Sequence, residues 1–557
     1  MKKTLFMFLV AALSCMPIIV SAQSAQPEEV RKAQALIQAK DYDGAIKILE
    51  DFLKANPARP AAWNLLGTSY TRKGDYDKAL QAYAKAVTSP QFRSQSLYNS
   101  ACVYALKNDP EQAFKLLGQL RNSGSFDMSL ILSDDDLKSL RTDPRFEKLI
   151  PRPEEFANPF VEKVKIIHEW VGEAKGGQFG WIARRIGDVD GDRVNDVVTS
   201  APTLLIEGKP AGRVYVYSGK NGKLLWTQTG PAGGRLGLGI EAAGDVNADR
   251  VPDVIASAPG AGKAYIYSGR DGRVLLTLGS GDQSEIFGRH VSGAGDINGD
   301  GHSDVIVGAP GNSAAGQGAG RAYVYSGKDG SVLLTLDGEK AGDAFGSSVA
   351  GYSSKHHAFL IAGAPNAGPK NAGRAYVYSG LTNKPKFIVE ADETGAQLGA
   401  MFLSVVGDVN RDRVPDIYAS DFSNSAKGTA TGRIYVHSGA DGRRLLTITG
   451  EGANDGFGIG PADAGDVNND GYDDLIVGAW QHSGAAPSGG KVYVYSGKDG
   501  SLIRAYTCRI PGDTLGFDAT GVGDVNGDRV VDFLVTSAWS GINGFQSGRV
   551  FVVSGAK

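Results

Sequence analysis

Gly295-Asp296-Ile297-Asn298-Gly299-Asp300-Gly301-His302-Ser303-Asp304-Val305-Ile306-Val307-Gly308-Ala309-Pro310 sets an acidic turn directly before an apolar, β-branched run. The Asp-x-Asn-x-Asp-x-x-x-Asp pattern puts oxygen atoms at alternate positions of a tight loop, where they can turn toward one point. It recurs in register along the chain, in six copies altogether. The others are Asp188-Asp190-Asp192-Asp196, Asp245-Asn247-Asp249-Asp253, Asp408-Asn410-Asp412-Asp416, Asp466-Asn468-Asp470-Asp474 and Asp524-Asn526-Asp528-Asp532. Hard cations such as calcium take about six to eight oxygens, so Asp296, Asn298, Asp300, Asp304 and their counterparts predict up to six bound Ca²⁺. The EF-hand does not fit, because its glutamate at loop position 12 is absent and β-type runs flank the loops.

Around each loop a longer unit repeats. A Phe-Gly or Leu-Gly pair comes first, then Gly-Asp and the loop, then the apolar run. A strand such as Arg321-Ala322-Tyr323-Val324-Tyr325-Ser326-Gly327 follows, then an Asp-Gly or Asn-Gly turn and a last strand such as Leu333-Leu334-Thr335-Leu336. Those dipeptides favour a type I′ hairpin. Four short antiparallel strands repeated many times predict a β-propeller. Seven units are present, although only six carry the acidic loop. In the fourth, from Phe345-Gly346 to Gly363-Ala364-Pro365, Ser353 to His357 replace the carboxylates, and no metal is expected there. The last unit stops after its third strand. Ile166-Ile167-His168-Glu169-Trp170 resembles the missing fourth, which predicts a latch that closes the ring and removes a free sheet edge.

Residues 27–150 have a helical pattern with a period of about 34. Trp63, Leu66, Gly67, Tyr70, Ala79, Tyr83 and Ala86 form its central copy. These positions resemble tetratricopeptide repeats, which implies three helix pairs and a peptide or protein partner, or simply a cap. Asp143-Pro144-Arg145-Phe146 predicts a short terminal helix, with Pro144 in its first turn. Pro151, Pro153 and Pro159 mark residues 151–163 as a stiff linker. Residues 164–557 are then the propeller, so the fold class is an all-β seven-bladed β-propeller behind an N-terminal all-α domain.

Residues 1–22 read as a signal peptide: Lys2-Lys3, an apolar run and the small-residue site Val20-Ser21-Ala22. No later stretch has the length and hydropathy of a membrane span, so an exported protein is expected, periplasmic or secreted to the cell surface. Cys102 and Cys508 fall in different domains and are expected to be buried and unpaired. The formal charge is −3, which becomes about −5 without Lys2 and Lys3. The motif positions of the six loops hold 19 of the 61 acids, and six Ca²⁺ would turn the net charge to about +7. No basic run supports nucleic-acid binding.

The repeated units resemble the FG-GAP repeats of the integrin α-subunit propeller. Phe287-Gly288 and Gly308-Ala309-Pro310 carry both halves of that motif, with Asp296, Asn298, Asp300 and Asp304 between them as the family's calcium ligands. The resemblance implies a seven-bladed propeller with calcium in the hairpins between first and second strands, and ligand recognition by the opposite face. Departures fall at Ser420-Asp421-Phe422, Ala479-Trp480 and Ala538-Trp539, where Gly-Ala-Pro is replaced. No inserted metal-dependent adhesion domain is present, so a recognition surface is implied and integrin signalling is not.

Loops between second and third strands line the opposite rim and vary most. Phe422, Trp480, Trp539 and Phe545 fall on them in neighbouring blades and form a candidate ligand-binding patch for a protein or glycan. Packing of the tryptophans between blades is the alternative. Gly222-Lys223-Leu224-Leu225-Trp226 is similar to the blade motif of quinone-dependent dehydrogenases, but only this blade has the Trp. FG-GAP propellers also occur in a phospholipase that cleaves lipid anchors, behind a zinc domain. Here no histidine precedes His168, so residues 23–163 lack the ligands of a histidine-rich zinc site. A non-enzymatic calcium-binding recognition protein is therefore expected, with a propeller enzyme (dehydrogenase or hydrolase) or a tetratricopeptide-based assembly scaffold as alternatives.

Overall fold

The computed structural model describes residues 27–556 except 281, 394, 395, 461 and 462, so the expected signal peptide lies outside the described residues. The chain divides into two compact units. One comprises the residues up to Arg121 with Leu130–Ile150; the other comprises Asn122–Ser129 with Pro151 onward.

Six helices build the first unit: α1 (Glu28–Gln38), α2 (Tyr42–Ala55), α3 (Pro60–Lys73), α4 (Tyr76–Ala86), α5 (Pro90–Leu106) and α6 (Pro110–Ser123). Proline opens α3, α5 and α6, where its missing N–H has no helical partner to lose. Gly67 lies against the ring of Tyr83, whose hydroxyl meets Thr71, so α3 and α4 approach closely. The expected terminal helix at Asp143 is a turn instead. Arg145 N donates to Asp143 Oδ1 at 2.9 Å, and only the 3₁₀ turn Glu147–Leu149 follows. An aspartate that captures the amide two residues on stabilises a turn in competition with a helix.

The second unit is a ring of seven blades. Blade 3 is typical, with antiparallel strands Val291–Gly295, Asp304–Ala309, Arg321–Tyr325 and Val332–Asp337 in that order. Its second strand is buried at every position, which explains why both faces of Val305-Ile306-Val307-Gly308-Ala309 are apolar or small. In blade 7, Ile166–Val171 pairs antiparallel with Arg549–Val553, so the first strand of the ring completes the last sheet. Trp170 fastens the closure. Its indole stacks on Tyr217 of blade 1 at 4.7 Å, and Nε1 donates to Gly222 O at 2.9 Å. Trp226 makes the same seam between blades 1 and 2, with Nε1 to Gly269 O at 2.7 Å.

The Phe-Gly and Gly-Ala-Pro elements have a mechanical meaning. Gly288 N donates to Gly308 O, and Gly308 N to His290 O, both at 2.9 Å. Phe287 is wholly buried against Tyr323 and Tyr325. Gly346 of the next blade sits at φ 82°, where a Cβ would come within 2.4 Å of Arg321 O. Each motif thus joins the entry of one strand to the end of the next and lets adjacent blades touch backbone to backbone.

The Asp-Gly turns are not type I′. Gly222, Gly272, Gly330, Gly442 and Gly500 are left-handed while the preceding Asn or Asp is not. That residue's side chain instead accepts the amide two positions on, as in Ser331 N to Asp329 Oδ1 at 2.9 Å. Gly330 N returns to Ser326 O, and the register slips between Val324 and Tyr325, giving a longer loop with a bulge. Residues 151–163 pack on blades 6 and 7: Phe156 and Phe160 are buried, and Phe160 bridges to Cys508. Cys102 and Cys508 are both free and buried.

Trp170→Ala should lower stability by about 3–5 kcal/mol, read as a shift of the urea midpoint, because it removes a buried ring and a seam hydrogen bond together. An unchanged midpoint would mean that the latch does not hold the ring.

Candidate functional site

All six acidic loops share one hydrogen-bond scheme, apart from the fourth amide, which bonds to the first aspartate in blades 1, 3 and 7. In blade 3, Asp296 Oδ1 accepts Gly299 N (2.8 Å) and Asp300 N (3.0 Å), and Oδ2 accepts Gly301 N (2.9 Å). Asn298 Oδ1 accepts Asp300 N at 2.9 Å, and Asp300 Oδ1 accepts His302 N at 3.0 Å. The fourth and sixth residues of each loop are left-handed, with φ between 58° and 86°. Arginines occupy several of these positions (Arg193, Arg250, Arg411, Arg413, Arg529), held there by the loop's own bonds at a cost of about 1 kcal/mol or more each.

The last aspartate of the loop is the structural anchor. Asp304 is fully buried; Oδ2 accepts Ile297 N and Oδ1 accepts Gly327 N, both at 3.0 Å. Asp196, Asp253, Asp416, Asp474 and Asp532 do the same with Val189 and Gly219, Val246 and Gly269, Val409 and Gly439, Val467 and Gly497, and Val525 and Gly555. One carboxylate therefore ties the acidic hairpin to the Ser-Gly pair that follows the third strand. Those glycines follow from it: a Cβ on Gly327 would lie 1.9 Å from Ser303 O. Sequence reading missed this role, although the recurrent Tyr-Ser-Gly was its signal.

Burial pushes Asp196, Asp253 and Asp474 up to about 6 and Asp416 up to about 7, against backbone amides that pull the other way. Burial also raises Asp304 and Asp532. In blade 1, carboxylate oxygens of Asp188, Asp190 and Asp196 all lie within 4.8 Å of one another. An all-oxygen set at this spacing suits a hard divalent cation, which would relieve the strain of burying these charges. Blade 4 has a different turn, in which Ser354 N donates to His357 O at 2.8 Å.

On the opposite rim, Trp480 and Trp539 meet at 5.1 Å, and Phe517 packs edge-on to Trp539 at 4.7 Å. Trp181 completes the group, 4.8 Å from Phe517. Trp181 and Phe517 are buried, whereas Trp480 and Trp539 are half-buried. The indole N–H of Trp480 is buried without an acceptor. The tryptophans thus serve both readings at once, packing across blades 1, 6 and 7 while keeping an exposed edge. Phe422 is half-buried against the same apolar cluster; Phe545 is half-buried but is not one of these rings. Trp181 and Phe517 were not singled out from sequence, although each directly follows a Phe-Gly or Leu-Gly pair. An axial cavity of about 580 Å³ runs between the first strands. Arg184 lines it, paired with Glu241 at 2.7 Å and with buried Asp518. His290 also lines it, pushed down to about 3 by burial.

The FG-GAP repeat profile matches residues 287–325 and 462–495, and a tetratricopeptide-repeat profile matches residues 30–94. The second unit is a seven-bladed propeller that carries FG-GAP repeats. Similar proteins include integrin alpha-2 of Bos taurus, 36% identical over 211 residues, which are 34% of this chain and 17% of that protein. Integrin alpha-4 of Xenopus laevis is 25% identical over 224 residues, 38% of this chain and 21% of that one. Phosphatidylinositol-glycan-specific phospholipase D of Homo sapiens is 26% identical over 393 residues, 58% of this chain and 46% of that one. The chain spans less than half the length of each. Within the propeller the two matched segments are parts of blades 3 and 6, and both contain a complete acidic loop.

Asp304→Ala should cost about 3 kcal/mol more than Asp300→Ala in metal-free urea unfolding, because it strands buried amides whereas Asp300 is exposed. Equal costs would remove the anchor role. A raised carboxylate pKa penalises the folded state only once the group ionises. In excess EDTA, Asp416 therefore contributes a loss of stability as pH rises from about 4 to about 7. Asp416→Asn should flatten that part of the melting-temperature profile; an unaltered slope would count against it.

Proposed function

We propose that this is an exported calcium-binding protein that recognises a protein or glycan, as in adhesion, through the propeller rim opposite its calcium loops. The observation that carries the reading is the contrast between the rims. One rim holds six copies of a single oxygen-rich loop, the repetition expected of a structural role. The other holds variable loops with an aromatic cluster that spans three blades and keeps two indole edges accessible. The sites would use Asp188, Asp190, Asp192 and Asp196 and the equivalent residues of blades 2, 3, 5, 6 and 7. Calcium there stiffens each hairpin and neutralises the buried anchor; it is not assigned to chemistry. The similarity to integrin alpha chains supports recognition. Among the described residues no helix is long and apolar enough to cross a membrane.

Two other readings have specific support. The phospholipase D relative supports a hydrolase, which turnover of a lipid-anchored substrate by the purified protein would establish. The tetratricopeptide match supports a scaffold that holds a protein partner through the helical unit, and this is the reading favoured if a pull-down survives loss of the propeller patch.

EDTA should lower the melting temperature by about 5 °C or more, and added calcium should restore it. A melting curve indifferent to chelation would remove calcium from the proposal. In a pull-down from the native envelope with calcium present, Trp480→Ala with Trp539→Ala should release the partner. Full binding by the double variant would exclude this patch.

A further inference from the structure

The inner face of the helical array is already covered, within its own unit, by a later segment of the same chain. By the repeat period of about 34 residues, Tyr98 and Cys102 of α5 stand where Asn64 and Thr68 stand on α3. Arg72 lies one turn beyond Thr68. Gly67 and Thr71 face α4 through Tyr83, whose hydroxyl also reaches Thr68 Oγ1 at 3.4 Å, so the row runs beside the α3–α4 contact. Across it lies the 3₁₀ helix Asp135–Leu140, begun by Asp134, whose Oδ1 accepts Asp136 N at 3.0 Å.

The contacts are those of a receptor with a ligand. Asp134 Oδ2 accepts the Tyr98 hydroxyl at 2.7 Å and faces the Cys102 thiol at 3.7 Å. Arg72 Nη1 donates to Asp136 Oδ1 at 3.0 Å. Leu137 and Leu140, one 3₁₀ turn apart, are buried. The row offers donors and a cation, and the segment answers with carboxylates and two leucines. Burial, then the Asp134 charge, hold the Cys102 thiol well above its usual range, so it is a protonated donor here. These side chains therefore suit an acidic turn, and the two leucines that follow it are buried.

We propose that the inner face of α3 and α5 is a recognition surface for an acidic Asp-x-Asp-Leu-x-x-Leu segment. Residues 134–140 are its resident ligand, and an outside partner of the same chemistry enters only by displacing them. The proposal rests on the helical unit binding partners. It is independent of the propeller rim.

Its test is alkylation of Cys102 in the full-length protein, with the label mapped by mass spectrometry so that Cys508 is scored apart. Arg72→Glu removes one charge pair at a half-exposed side chain without making a cavity. It should speed Cys102 labelling several-fold, and Asp136→Arg in the same chain should restore protection. Asp134→Ala with Leu137→Ala should speed labelling at least tenfold and let the peptide Ser-Asp-Asp-Asp-Leu-Lys-Ser-Leu bind, reporting by fluorescence anisotropy and by renewed protection of Cys102. The native protein should bind that peptide at least tenfold more weakly. Unchanged labelling in Arg72→Glu, or equal peptide binding by the native and the opened protein, would overturn the proposal.

Discussion

A buried aspartate that accepts amides from two separate turns organises each acidic blade. A carboxylate without a cationic partner is costly to bury, and the fold meets that cost with backbone N–H groups drawn from its own loop and from the Ser-Gly turn. The bond fixes the exit of the first hairpin, the start of the buried second strand and the approach of the third-to-fourth-strand turn together. Because the turn must come so near, its second residue is glycine. Loop, strand and turn are therefore not three features but one, repeated around the ring.

Pinning the loop in this way leaves the remaining carboxylates crowded on the rim, with their backbone contacts already made. A cation entering such a loop meets oxygens that need little rearrangement, and it offsets the penalty that raises Asp196, Asp253, Asp416 and Asp474. On the opposite rim a backbone bond closes the loop, as from Gly320 N to Asn312 O and from Gly490 N to His482 O, and it leaves the residues between unconstrained in number and kind. There the second-to-third-strand loops are free to differ, and bulky rings replace the Gly-Ala-Pro bend at Trp480 and Trp539. Rigidity on one side and variety on the other is the arrangement a recognition module needs.

Period and patterning made most of the fold legible. Seven units, the strand order within them and the closure by Ile166–Val171 followed from repeats that recur at blade spacing. The helix pairs followed from Trp63, Gly67, Tyr70 and Tyr83. Local competitions were harder to read. Asp143 captures an amide and makes a turn where a helix was expected. Asn221, Asp271 and Asp329 do likewise, so only the glycine after each becomes left-handed. Of the aromatic patch, Trp480 and Trp539 could be placed on one rim from strand alternation, but Trp181 and Phe517 come from other loops, and nothing local marks their meeting.

The sequence alone determined the repeating unit, the acidic loops and the apolar second strands, because these depend on neighbours a few residues apart. Tertiary structure decided what those residues hold. It turned the aspartate at the ninth position of each loop into a tie to a glycine 16 or 23 positions on, as from Asp253 to Gly269 and from Asp304 to Gly327. It brought four rings from three blades together and laid Asp134–Leu140 across α3 and α5. Such pairings join residues remote in the chain, and only the closing of the ring and the stacking of the helices brings them within bonding distance.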